Sequence, residues 1–127
     1  MNREETENQI ALFEWAQLNK GRFPEIEAMY HIPNEGKRSQ RFGAELKSMG
    51  LRKGFPDVCL PVPRRESGAL YIELKAKNGK VSEDQKLWLK RLNNAGNCSV
   101  VCYGWEAAAK VIEDYLRGKL PTKDVYR

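Results

Sequence analysis

The stretch from Asp57 to Tyr103 constrains the fold more than any other part of the chain. Two apolar runs, 57–62 and 70–76, flank a polar connector from Pro63 to Gly68 that carries Arg64, Arg65 and Glu66. They read as two strands of a hairpin with an exposed loop. Ser82-Glu83-Asp84-Gln85 follows, a serine with a glutamine three residues on. That capping-box pattern predicts a helix running to about Asn94 and ending at Gly96. A third apolar run, Cys98 to Tyr103, fits a buried strand. A hairpin followed by a helical crossover to a further strand requires a mixed sheet with helices packed on it.

The remaining segments complete an α/β domain. Glu4 to Asn19 predicts a helix, with Leu12, Phe13 and Ala16 on one stripe and Gly21 breaking the pattern. Glu25 to Ile32 predicts a strand, because Ile26, Ala28, Tyr30 and Ile32 alternate with Glu27, Met29 and His31. Ser39 to Met49 predicts a helix stopped at Gly50, and Trp105 to Arg117 a final helix. With 127 residues the chain makes one domain, 1–127, with a core over about 4–117 and a polar tail over 118–127. The order is helix, strand, helix, strand, strand, helix, strand, helix.

Composition narrows the function classes. No apolar run reaches the roughly 20 residues of a membrane-spanning helix, and the opening Met1-Asn2-Arg3-Glu4-Glu5 is unlike a signal peptide. Three cysteines without a Cys-x-x-Cys pair argue against a disulfide framework and against a cysteine-rich zinc site. One histidine, His31, excludes a two-histidine metal motif. It reads as a packed or edge histidine, and Cys59, Cys98 and Cys102 read as small core residues. Trp15, Trp88 and Trp105 read as core or interface aromatics. These features predict a cytoplasmic protein with no membrane partner and no small-molecule cofactor.

The formal charge of +5 is concentrated. Residues 33–56 carry Lys37, Arg38, Arg41, Lys47, Arg52 and Lys53 against Glu35 and Glu45, which leaves +4 of the excess there. Clustered cations at a turn and helix suit a phosphate backbone. Lys53, Lys77 and Lys80 flank the acidic motif described next and read equally as phosphate contacts or as plain surface lysines.

In an extended strand Glu73 and Lys75 share one face, about 7 Å apart along the chain, while Ile72, Leu74 and Ala76 take the other. Asp57 opens the preceding strand and can reach the same end. Two carboxylates with waters are a common way to hold Mg²⁺, and such an ion suits a basic protein with an anionic substrate. Lys75 is placed to serve an attacking water, and the backbone carbonyl of Leu74 is a further oxygen donor.

The chain resembles the PD-(D/E)XK nuclease superfamily, and within it the small stand-alone VRR-NUC proteins of phages and bacteria. The residues that carry the likeness are His31 to Arg38, Lys47-Ser48-Met49-Gly50, Gly54-Phe55-Pro56-Asp57, Tyr71 to Ala76 and Ser82 to Gln85. The resemblance implies a restriction-endonuclease-like core of helix, three-stranded meander, helix and strand. It also implies Mg²⁺- or Mn²⁺-dependent cleavage of DNA in a bacterial or phage-infected cell, and homodimers that cut branched structures such as four-way Holliday junctions. Asp57 and Glu73 match the metal-binding acids and Lys75 the catalytic lysine. Gln9 matches a first-helix glutamine. For the accompanying acid, Glu5 is four residues from Gln9 and on its face, with Glu7 as the runner-up and Glu4 also in range. Gln85 matches a family glutamine, but a role confined to the helix cap accounts for it equally. The sequence therefore reads as a structure-selective DNA endonuclease. Flap cleavage, nicking or exonuclease action on the same fold, and a non-cleaving DNA-binding accessory module, are the rivals.

Overall fold

Asn2 starts the first helix by accepting a hydrogen bond from the backbone N of Glu5 at 2.9 Å. Glu4 and Glu5 in the first turn complement the helix dipole. The computed structural model describes residues 2–33 and 40–127, and helix α1 spans Arg3–Asn19. Leu12 and Ala16 are buried, and Phe13 and Trp15 pack against the same core.

The strand expected over 25–32 is replaced by a 3-10 helix, Pro24–Ala28, followed by a two-residue strand β1, Tyr30–His31. Ile26 N donates to Phe23 O and Met29 N to Ile26 O, both at 3.0 Å. The buried residues are Ile26 and Met29, three apart, whereas Ala28 and Tyr30 are exposed. A three-residue turn superposes such positions. Alternating side-chain character therefore stood for a period of three, and Pro24, which has no N–H, opens the turn.

Helix α2 covers Gln40–Ser48, so the expected Ser39 start lies outside the described residues. It ends as predicted at Gly50 (φ 108°), where Leu51 N reaches Leu46 O and Gly50 N reaches Lys47 O. These are the paired bonds of a Schellman motif. Strands β2 (Val58–Leu60) and β3 (Leu70–Lys75) form the predicted antiparallel hairpin, with Val58 opposite Ile72 and Leu60 opposite Leu70. Their connector is less exposed than expected. Ser67 is buried, and Arg64 donates to Leu116 O at 3.0 Å and pairs with Glu25.

Helix α3 (Glu83–Asn94) carries β3 over to β4 (Cys98–Tyr103), which pairs parallel to it from Leu70↔Cys98 to Lys75↔Tyr103. Helix α4 (Trp105–Leu116) then leads to β5, Val125–Tyr126, parallel to β4. The predicted polar tail thus closes the sheet, whose order is β1-β2-β3-β4-β5. Two strand residues are too few to show a period. The turn before them is held by Tyr126, whose hydroxyl accepts from Thr122 N and Lys123 N at 2.9 and 3.0 Å.

One face of the sheet makes the core. Val58, Leu60, Leu70, Ile72, Leu74, Val100 and Cys102 join Leu12 of α1 and Ala108, Ile112 and Tyr115 of α4 in one buried cluster. Tyr115 is fully buried, and its hydroxyl donates to Val62 O at 2.7 Å. Cys98, Cys102 and Cys59 are all free thiols, the last two buried. Among the described residues no helix is long and apolar enough to cross a membrane.

Helix α4 begins at Gly104, which has no side chain to cap it. Asn8 of α1 supplies the cap from outside, its Oδ1 accepting from Trp105 N at 3.0 Å. Asn8→Ala is expected to destabilise the domain by about 1 kcal/mol, read as a lower urea midpoint at unchanged m-value.

Candidate metal centre

The site is assembled on the sheet face opposite the core. Asp57, just before β2, is held by its backbone. Its carbonyl accepts from Ile32 N at 2.7 Å and from His31 Nδ1 at 3.0 Å. A carbonyl only accepts, so His31 carries its proton on Nδ1. His31 is thus an exposed edge-strand residue that orients the chain at Asp57.

Asp57 is buried, and its Oδ2 accepts from Leu74 N at 2.9 Å. In a hydrogen-bonding position of a strand the N–H and C=O of one residue project to the same side. The Leu74 carbonyl therefore projects toward Asp57, where β2 no longer runs. Glu73 is 3% exposed. Its Oε2 accepts from Gln85 Nε2 at 3.2 Å and lies 3.6 Å from Lys75 Nζ. Its Oε1 is buried with no hydrogen-bond partner. The Lys75 side chain is 9% exposed.

Gln85 reconciles its two sequence readings. Its Oε1 accepts from Ser82 N at 2.8 Å while Ser82 Oγ accepts from Gln85 N at 3.1 Å, closing the capping box. Its Nε2 is the atom that reaches Glu73. One side chain caps α3 and ties the helix start to the buried acid.

Gly54 makes this approach possible. Its φ is +83°, and a Cβ there would sit 2.7 Å from Asp84 C and Cβ and 2.8 Å from Gln85 N. The backbone leading to Asp57 rests directly on the first turn of α3. Phe55 then packs between Tyr71 (ring centroids 5.7 Å) and Trp88 (5.1 Å), so Trp88 belongs to the site face rather than to the core.

The first-helix acid departs from expectation. Among the described residues no three His, Cys, Asp or Glu side chains converge on a metal-sized space, so Glu5 is not joined to the Asp57–Glu73 pair. Glu7 is taken by Arg3 at 3.0 Å. Glu4 instead reaches the end of β3, accepting from Lys77 N at 3.2 Å. Helix phase relative to Gln9 did not identify the acid that touches the strand, because Glu4 sits where the helix end meets residue 77. Gln9 itself has a buried Oε1 without a partner.

Of the basic residues, Lys37 and Arg38 lie outside the described residues, as does the side chain of Arg41. Lys47, Arg52 and Lys53 are exposed. Lys53 Nζ is 3.8 Å from the carboxylate of Asp84, next to Gln85, which brings that cation to the site.

Two adjacent buried carboxylates are electrostatically costly. Burial, then the neighbouring charge of Asp57, push Glu73 up to about 9, against the opposing pull of Lys75. The donor set is hard oxygen, and one of its buried oxygens is orphaned. These residues fit a divalent cation.

The pair makes stability pH-dependent in the metal-free protein. Between the ordinary 4.5 and about 9 the folded chain keeps a proton that the unfolded chain has released. Stability contributed by this group therefore falls as pH rises through that window. Urea denaturation in chelator across the same range is expected to show this slope, and Glu73→Gln to remove it.

Comparison with known proteins decides the family. The family model for the VRR-NUC domain matches residues 3–106, a span that contains Asp57, Glu73, Lys75 and Gln85. The chain belongs to the VRR-NUC domain family. A solved structure described as a VRR_NUC domain protein is 26% identical, with a TM-score of 0.78 over 94% of this chain and 93% of that one. No match was found among curated proteins. VRR-NUC is a nuclease-type domain, and the mixed five-stranded sheet flanked by helices is its fold, consistent with PD-(D/E)XK placement.

Proposed function

We propose that this VRR-NUC chain is a divalent-metal-dependent DNA endonuclease that acts as a homodimer on branched DNA such as four-way junctions. The observation that carries the hydrolytic reading is the buried Asp57–Glu73 pair with Lys75 beside it and an orphaned oxygen on Glu73. The carboxylates of Asp57 and Glu73 and the Leu74 carbonyl would hold Mg²⁺ or Mn²⁺, with waters completing the shell. When bound, the cation supplies Lewis-acid stabilisation of the phosphoryl charge and acidifies a water.

The chain's own residues do the rest. Gln85 fixes Glu73 Oε2 by its amide and thereby leaves Oε1 as the coordinating atom. Leu74 N fixes Asp57 Oδ2 in the same way. Lys75 is oriented by its contact with Glu73 and donates hydrogen bonds from Nζ to the attacking water or to a non-bridging phosphate oxygen. Lys37, Arg38, Arg41, Lys47, Arg52 and Lys53 are proposed to engage the backbone of the DNA. A two-fold dimer suits a branched substrate, since each copy brings one site to a symmetry-related strand.

The test is cleavage of labelled duplex, flap, single strand and four-way junction in Mg²⁺, Mn²⁺ or EDTA. Metal-dependent cutting with preference for the junction is expected. Preference for flaps or free ends would replace the junction by another nuclease activity, and binding without cutting in any metal would make the chain an accessory module. Light scattering of the junction complex reads the dimer.

A further inference from the structure

The residues that follow β3 form a cationic groove that reaches Lys75 by direct contact. Lys77, Lys80, Lys86 and Arg127 line an open cavity of about 560 Å³ together with Gly79 and Tyr103. Among the described residues no acidic side chain lines it, although Lys86 is shared with the exposed Glu83 at 3.3 Å. The cations come from three separate elements: the turn after β3, the first turns of α3, and the residue after β5. That last residue is present only because the chain beyond α4 returns to the sheet, pairing Tyr126 with Cys102 of β4.

Its floor is tied to the catalytic strand. The guanidinium of Arg127 stacks 4.1 Å from the Tyr103 ring centroid. The Tyr103 hydroxyl donates to Gly79 O at 3.0 Å. Gly79 in turn lies so close to Lys75 that a Cβ there would meet Lys75 Cδ at 3.2 Å. Gly104 N donates to Lys75 O at 2.9 Å and closes the strand end. A ligand in the groove is therefore next to the site, and the contacts run from Arg127 to Lys75 without a gap.

We propose that this groove holds the phosphodiester backbone of the nucleic acid immediately beside the scissile phosphate, so that the C-terminal strand is part of the substrate surface. The inference rests on the nuclease reading above. Cations spread along an open channel match a polyanion with a phosphate at every step, whereas one free phosphate needs donors that converge. Tyr103 serves as a positioning residue, acting on Lys75 through Gly79.

The experiment is fluorescence anisotropy of a short labelled DNA duplex, in EDTA and over a range of salt. The wild type is compared with Lys77→Ala/Lys80→Ala/Arg127→Ala and with a charge-matched control, Lys20→Ala/Lys110→Ala/Lys119→Ala. The groove variant is expected to bind about tenfold or more weakly, and the slope of log K against log salt to shrink by about 2–3. The control is expected to bind within about twofold of wild type. Equal weakening in both variants, or none in the groove variant, overturns the groove while leaving the nuclease reading in place. Displacement of the duplex by inorganic phosphate at matched ionic strength, with no loss in the groove variant, likewise overturns it. A wild type that neither binds nor cuts DNA overturns both. Circular dichroism melts confirm that the variants are folded, and Tyr103→Phe, which keeps the ring under Arg127, is expected to lower kcat with KM little changed.

Discussion

Lys75→Ala is expected to slow metal-dependent strand cleavage by about 10²–10⁴-fold, with duplex affinity little altered. The side chain is nearly buried and faces Glu73 at 3.6 Å, so it contributes little to diffuse attraction of a polyanion and much to the charge at one point. Lys75→Arg is not expected to restore the rate, because a planar fork does not occupy the space of a compact ammonium. Single-turnover cleavage with enzyme in excess separates the chemical step from release. A rate for Lys75→Ala within threefold of wild type would remove the lysine from the mechanism. Its loss also leaves the Asp57–Glu73 pair without its neighbouring cation. The fall of stability with pH in chelator should extend to higher pH in the same variant.

Gly54→Ala is expected to cost about 2–4 kcal/mol, the sum of a left-handed backbone strain and an overpacked contact. The added methyl would meet backbone and Cβ atoms of Asp84 at 2.7 Å, and these are fixed within the first turn of α3. The helix start must shift, and Gln85 shifts with it, so cleavage should fall together with stability. Gly21→Ala is the matched control. Nothing lies within 4 Å of a Cβ at Gly21, and its change is expected to stay within about 0.5 kcal/mol. Equal urea midpoints for the two variants would show that the backbone before Asp57 does not rest on α3 as described.

The parts legible from sequence are those that rest on local chemistry. The capping box at Ser82, the glycine stops at 50 and 96, and the alternation that puts Glu73 and Lys75 on one face all depend on residues a few positions apart. The 3-10 turn at Pro24–Ala28 was hidden because five residues can satisfy a period of two or of three. Strand β5 and the Asn8 cap were hidden for a different reason. Their partners, Val101 and Trp105, are far along the chain, and neither Val125 nor Asn8 differs from any surface residue until the fold supplies the neighbour. The site shows both cases. Asp57, Glu73 and Lys75 were legible as a pattern. The double use of Gln85, and the choice of Glu4 over Glu5 for contact with the strand end, depend on how two helices meet β3.

The sheet order β1-β2-β3-β4-β5 has a consequence for how the chain comes off the ribosome. Each strand pairs with the one made just before it, so the sheet can grow edge by edge during synthesis, with short loop closures and no strand waiting to be inserted. Helix α1 is the exception. It is made first, yet α4, which it packs against and caps at Trp105, is made almost last. The nascent sheet can therefore pair before α1 gains its contacts with α4, and pulse-labelled exchange should protect β2 and β3 before α1. The contact of Glu4 with Lys77 N at the end of β3 then forms only once α1 has docked.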